Sequence, residues 1–146
     1  CSTADITVFL LDTLGKQTAA SLLTWQDLYS EDISGVYKAS ARILSYVVSG
    51  ESVPVVRETS TAEESAMSSY AFASGSDLTF IVASHENTPS AVAFDVPFEG
   101  RTASLIRFDH EGRVVEQRKV RRSNERINVM PGNVVVYTLE NTPPGN

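Results

Sequence analysis

From Ser68 onward the chain is a succession of short β-type runs separated by turn chemistry, closing on Met130-Pro131-Gly132-Asn133 and then Val134-Val135-Val136-Tyr137-Thr138-Leu139. That pattern limits the fold to packed antiparallel sheets, because runs of five to eight residues with period-two alternation and tight turns pair with their neighbours. Leu78, Phe80 and Val82 alternate with Thr79, Ile81 and Ala83, so both faces are apolar, as in a central strand. The run Ser68 to Ala73 pairs before the turn at Gly75-Ser76-Asp77, and Val92, Phe94 and Val96 resume the alternation after Glu86-Asn87-Thr88-Pro89. Ala103 to Phe108 and Val114 to Val120 flank Asp109-His110-Glu111-Gly112, a hairpin turn with glycine where positive φ is required. Ile127 with Val129 gives a short strand before the last one, and six or seven such strands imply a β-sandwich of two antiparallel sheets.

The first fifty residues follow a different period. Ser2 or Thr3 caps a helix that carries Ile6, Phe9, Leu10 and Leu14 on one stripe, with Asp5 in its first turn and Gly15 as its stop. A buried strand over Ile6 to Leu11 is the competing pattern, and the caps favour the helix. Thr18 to Trp25 is a run of small and apolar residues suited to a strand buried on both faces. Leu28 to Ser34 is a polar, acidic loop, and a second helix runs from Val36 to Val48 with Lys38 and Arg42 as its solvent stripe. That helix is apolar around a wide arc and needs other structure to pack on. The fold class is therefore α+β: a helix-strand-helix segment over residues 1–50, an antiparallel β-sandwich over 51–140, and a proline-rich tail over 141–146. Val53 to Val56, interrupted by Pro54, enters the sandwich as an edge strand.

Size and charge exclude several functions. With 146 residues there is no room for a complete (β/α)8 barrel, which needs roughly 200 or more. A net charge of −6 argues against a nucleic-acid partner, and no apolar run reaches the ~20 residues of a membrane span. The one basic cluster, Arg113 to Arg126, is interleaved with Glu116 and Glu125 and reads as a solvated hairpin, with a polyanion site as the alternative. Cys1 is the only cysteine, so cysteine-based metal sites and intrachain disulfides are impossible. His85 and His110 fall in turns without metal-ligand spacing, so no metal and no cofactor is expected. Serine-hydrolase elbows and nucleotide-binding loops are absent from the sequence.

The cluster with chemical interest is Trp25, Gln26, Asp27 and Tyr29, followed by Glu31 and Asp32, just after the buried strand. Aromatic faces stack on the apolar faces of sugar rings while amides and carboxylates bind their hydroxyls, so these residues form a candidate carbohydrate platform. The plain alternative is a core tryptophan beside a solvated loop.

Helix, buried strand, helix and sandwich in this order resemble the last section of a retaining glycoside hydrolase of the (β/α)8 clan with a C-terminal β-sandwich. Thr24-Trp25-Gln26-Asp27 is similar to the tryptophan-bearing end of the eighth barrel strand. Gly35-Val36-Tyr37-Lys38-Ala39-Ser40-Ala41 resembles the start of the closing helix, without the proline common there, and Pro131 to Tyr137 resembles the final strand. The resemblance implies substrate binding by Trp25, Gln26, Asp27 and Tyr29. It also implies that the catalytic glutamates, at the ends of the fourth and seventh barrel strands, precede Cys1, so no catalytic residue lies in this chain. Activity, if any, is hydrolysis of O-glycosyl bonds together with a barrel-containing polypeptide, on an oligo- or polysaccharide. The location implied is secreted or extracytoplasmic, with lysosomal residence or a lipid anchor on Cys1 as alternatives. Two non-enzymatic readings stand beside this one. One is a secreted β-sandwich binding carbohydrate or protein through Trp25 with Tyr29 or through exposed tyrosines such as Tyr70 and Tyr137; the other is a structural subunit assembled by strand addition at Val53 to Val56.

Overall fold

A computed structural model describes residues 2–14, 35–46, 51–53 and 66–141. Two helices, α1 (Thr3–Leu14) and α2 (Gly35–Ser45), precede eight strands: β1 (Glu51–Val53), β2 (Met67–Ser74), β3 (Asp77–Ser84), β4 (Ser90–Val92), β5 (Arg101–Phe108), β6 (Val114–Val120), β7 (Ile127–Val129) and β8 (Val134–Asn141). Six strands form one antiparallel sheet in the order β1-β2-β3-β8-β5-β6, and β4 pairs with β7 in a second, two-stranded sheet. The expected strand through Val92, Phe94 and Val96 stops at Val92; residues 93–98 run irregularly along the large sheet, and Phe94 and Val96 pack into its core without joining a ladder.

Alternation along the strands sends apolar side chains to both faces of the large sheet, and each face builds its own core. Ile81, Ala83, Ile106, Phe108, Val134 and Val136 meet Ala4 and Leu11 of α1 and Ala39 and Ile43 of α2. On the opposite face Leu105, Val120, Val135, Tyr137 and Leu139 meet Ile127 and Val129 of the small sheet, with Phe80 and Phe94 packed alongside. Tyr137, proposed from sequence as an exposed platform, is instead 1% exposed, because its strand lies in the middle of the sheet with cover on both sides. Tyr70 is also unsuited to that role: it is partly buried, and its hydroxyl donates a 2.6 Å hydrogen bond to Asp12 on α1.

The first helix starts where the capping residues put it. Ser2 Oγ accepts the Asp5 N–H at 3.1 Å while Asp5 Oδ2 accepts the Ser2 N–H at 3.0 Å, the reciprocal arrangement of a capping box. Thr3 and Ala4 then donate their free N–H groups to the carbonyls of His110 and Gly132, and the Thr3 hydroxyl donates to Asp109 O at 2.7 Å. This docking sets the rotation of the helix. Thr3, Ala4, Thr7, Leu10 and Leu11 face inward, so within the expected stripe Leu10 is buried while Ile6 is only partly buried and Phe9 is 58% exposed, and the inward face is rotated toward Ala4 and Thr7. Small residues at positions 4 and 7 permit a close approach to neighbouring elements that phenylalanine would prevent.

The second helix buries Val36, Ala39, Ser40 and Ile43 and leaves Lys38 and Arg42 exposed, as the solvent stripe predicts. Arg42 lays its guanidinium 5.8 Å from the centre of the Phe108 ring. The helix begins against the β5–β6 hairpin turn, where Gly35 meets Gly112 and Glu111 backbone to backbone. It ends beside Ile106 and Ser104, where Tyr46 lies. The first helix likewise starts at His110 and Gly132 and reaches Tyr70, which is paired with Ile81 in mid-sheet. Both helices therefore climb the same face in the same direction. No helix among the described residues is long and apolar enough to cross a membrane.

Candidate functional site

Trp25, Gln26, Asp27 and Tyr29, the carbohydrate platform expected from sequence, lie outside the described residues, as do Cys1 and the expected strand Thr18 to Trp25. What the described residues do bring together is a groove of about 530 Å3 at the foot of α1, lined by Ser2, Asp5, Ser84, His85, Glu86 and His110. Both histidines of the chain line it, although they come from different turns, because β3 and β5 end at the same level of the sheet and α1 docks between those ends.

The groove is held by backbone pairing. Ser84 N–H donates to Asn133 O at 2.9 Å and Gly132 N–H to Ser84 O at 3.0 Å, locking the β3 exit to the turn before β8. Asn133, 2% exposed, accepts through Oδ1 from Arg107 Nη1 at 2.8 Å and from Met130 N–H at 3.1 Å. Asp109 Oδ1 accepts from the N–H groups of Glu111 and Arg113, both at 2.9 Å, so that carboxylate shapes its own turn. In the basic cluster Arg113, Lys119, Arg121, Arg122 and Arg126 are exposed, as a solvated hairpin requires, and Arg118 is paired within it. Arg107 and Arg118 share Glu116, and Arg118 reaches Glu125 at 2.8 Å. Burial pushes the Glu116 carboxyl up, but hydrogen bonds from Arg118 and Arg107 outweigh it and hold the group below its ordinary range.

Asp5 is the most strongly engaged acid in the groove. The hydrogen bonds from Ser2, backbone first and then side chain, hold its carboxyl below the ordinary 3.8, and His85 Nδ1 at 3.2 Å adds to this. A carboxylate with depressed pKa stabilises the fold fully above its unfolded value and loses that contribution as pH falls through the folded one. Comparing Asp5→Asn with the parent should therefore give a gap of a few tenths to about 1 kcal/mol near neutral pH, small because the side chain is half exposed. The gap should begin to shrink near pH 3.8 and close as pH falls through the lower folded-state value, and melting curves from pH 2 to 7 measure it.

Chemically, the Asp5 and His85 pair orients an imidazole, but the neighbouring groups are already occupied. Glu86 accepts the Ala66 N–H at 2.9 Å, and Ser84 Oγ accepts the Glu86 N–H at 3.3 Å. No group of three or more metal-ligating side chains occurs among the described residues. The groove anchors α1 to the sheet. The sequence carried a cap at Ser2 or Thr3 and Asp5 in the first turn as a local pattern, whereas the Asp5 and His85 contact joins residues eighty positions apart and leaves no local signal.

No protein-family model and no curated protein matches the chain. Among solved structures it is similar to a glycoside hydrolase family 30 endoxylanase from Clostridium papyrosolvens C71, with TM-score 0.52 and 9% identity over 73% of this chain and 27% of that one. It is also similar, at TM-score 0.46 and 16% identity, to a family 86 β-porphyranase from the human gut bacterium Bacteroides plebeius, over 64% of this chain and 17% of that one. The chain thus spans about a quarter or less of the length of these enzymes. At 9% identity the likeness to the endoxylanase is one of fold, and the fold of this chain is glycoside-hydrolase-like.

Proposed function

We propose that the chain is the C-terminal part of a secreted glycoside hydrolase, with the last repeat of a (β/α)8 barrel in residues 1–50 and a β-sandwich from 51 to 140 that braces a catalytic barrel lying mostly outside this chain. The observation that carries this reading is the common direction of α1 and α2. Two neighbouring helices that start at the same end require the chain to travel back between them. The twenty residues from 15 to 34 are enough for a strand of roughly 20 Å and two loops. Helix, return strand, helix is the repeat of a parallel barrel, and the apolar run Thr18 to Trp25 has the composition of its strand. The fold likeness to the family 30 endoxylanase supports the same assignment.

In such a barrel each strand ends where the next helix begins, so the mouth lies on the side of the helix N-termini. Trp25, Gln26, Asp27 and Tyr29 then stand at the mouth and contact the sugar, Trp25 by stacking and the others by hydrogen bonds. Acid, base and nucleophile come from the rest of the barrel. A polysaccharide substrate cannot cross a membrane, which accounts for an extracytoplasmic location.

The test is hydrolysis by the complete native polypeptide that carries this chain. Release of reducing ends from soluble xylan or hydroxyethyl cellulose is expected from that protein and not from residues 1–146 alone. Trp25→Ala should lower kcat/KM at least about tenfold through lost stacking while leaving the melting temperature within a few degrees. A native polypeptide with no barrel, either in the same chain or as a stable partner, overturns the proposal. A large drop in melting temperature with unchanged activity per folded molecule returns Trp25 to the core.

A further inference from the structure

Across the helix-bearing face of the large sheet runs a row of polar side chains set by strand register. Thr79 on β3 is opposite Thr138 on β8, Thr138 opposite Ser104 on β5, and Ser104 opposite Lys119 on β6. Directly paired residues share a face, and Ile81, Val136 and Ile106, each two positions away on its strand, belong to the core under the helices. The row therefore lies on the same face, just beyond the helices. A groove of about 280 Å3 opens there, with Tyr46 from the end of α2 on one side and Ser104, Thr138, Gln117 and Lys119 around it.

Two features separate this groove from an ordinary solvated surface. First, the side chains of Thr79, Ser104, Gln117, Lys119, Thr138 and Tyr46 have no hydrogen-bond partner among the described residues, in contrast to the neighbouring Arg118, which is bound to Glu116 and Glu125. Four strands of a rigid sheet hold the strand-borne donors and acceptors in place without using them, and Tyr46 is partly buried against the helix core, which limits its rotation. Second, the composition is amphipathic. The groove joins an aromatic ring and the edges of Ile106 and Val136 to hydroxyl, amide and ammonium groups. A pyranose has that character in mirror form, with an apolar C–H face and a rim of hydroxyls that both donate and accept. At about 280 Å3 the groove stands at the lower limit of small-molecule sites, ~300 Å3, which suits one ring and not a longer rigid ligand.

We propose that this groove binds a single pyranose unit of a polysaccharide, as a surface site formed between the end of α2 and the outer strands of the large sheet. Tyr46 stacks on the sugar face while Ser104, Thr138, Gln117 and Lys119 bind its hydroxyls. Because β6 is the edge strand among the described residues, the chain on either side of the bound ring runs out past the sheet edge. The site goes beyond the proposed hydrolase function, since it uses neither the barrel mouth nor Trp25.

The experiment is affinity electrophoresis of the complete protein through native gels containing soluble xylan or hydroxyethyl cellulose, with xylohexaose and cellohexaose titrations giving Kd. The expected result is retarded migration in at least one gel. Gln117→Ala combined with Lys119→Ala, on the exposed edge strand, should weaken binding about five- to tenfold, and Thr138→Val should do so by a lesser factor. Tyr46→Ala should abolish retardation, and its circular dichroism identifies any loss of fold; the edge-strand pair decides the matter if it unfolds. Hydrolysis of a short aryl glycoside should be the same in all folded variants. Retardation that is unchanged in the edge-strand pair, or absent in every gel, overturns the site. Absence of hydrolysis in the parent bears on the proposed activity only, so the two failures are distinguishable.

Discussion

Gly112→Ala should lower the melting temperature by roughly 10 °C or more, the largest effect expected of any substitution so conservative. A Cβ at this position would overlap the carbonyl oxygen of Gly35 and come within 2.8 Å of Val36 N, and these are backbone atoms at the start of α2 with no freedom to move aside. The residue also has φ of 87°, where an L side chain is strained by itself. Strain of about 1–3 kcal/mol and a backbone collision act together, so the second helix must lift from the hairpin turn. Gly100→Ala supplies the control. Its φ is 79° with nothing within 4 Å of the added carbon, so it carries the conformational cost without the collision. Thermal melts of both variants measure the difference; equal losses would show that the helix and the turn are not in tight contact.

A second large effect is expected at Tyr137. Its ring lies 4.5 Å from that of Phe94 in a stacked arrangement and 6.3 Å from that of Phe80, at 1% exposure. Tyr137→Ala should cost about 3–5 kcal/mol, most of the stability of many domains. Tyr137→Phe should do the opposite of what loss of a polar group usually does. The hydroxyl is buried with no partner among the described residues, and burial, with the nearby Glu125 charge, already pushes its pKa up. Removing it relieves a desolvation penalty of about 1 kcal/mol, so the phenylalanine variant should match or exceed the parent in denaturant midpoint. A clear loss of stability in that variant would mean that the hydroxyl has a bound water or other partner.

The contrast between these two sites and the grooves explains what was legible in the sequence. Strands such as Leu78 to Ala83 and Val134 to Leu139 were visible because alternation with both phases apolar is a local property, and the hairpin at Asp109 to Gly112 because its glycine is dictated by local φ. A cap at Ser2 or Thr3 with Asp5 in the first turn was visible for the same reason, and the structure selects Ser2. The phase of α1 was not: apolar spacing alone favours a stripe through Phe9, and only the docking of Thr3 and Ala4 on His110 and Gly132 selects the face with Ala4 and Thr7. The irregular course of 93–98 was hidden because alternating apolar residues satisfy a core equally well without a ladder partner. The polar row of Thr79, Thr138, Ser104 and Lys119 was invisible because it exists only once four strands are in register.

Strand order has a consequence for how such a chain reaches its native state. The hairpins β2–β3 and β5–β6 each pair locally, but β8, the last of the described strands, lies between β3 and β5 and, among the described residues, joins the two halves of the sheet. Until it arrives, β3 and β5 each present an open edge, and neither face of the sheet is wide enough to seat the helices. During synthesis the ribosome therefore releases nearly the whole segment before the sheet can close. Chaperone occupancy, and the hazard of strand exchange between two nascent chains, should peak in that interval and fall once Val134 to Asn141 has emerged.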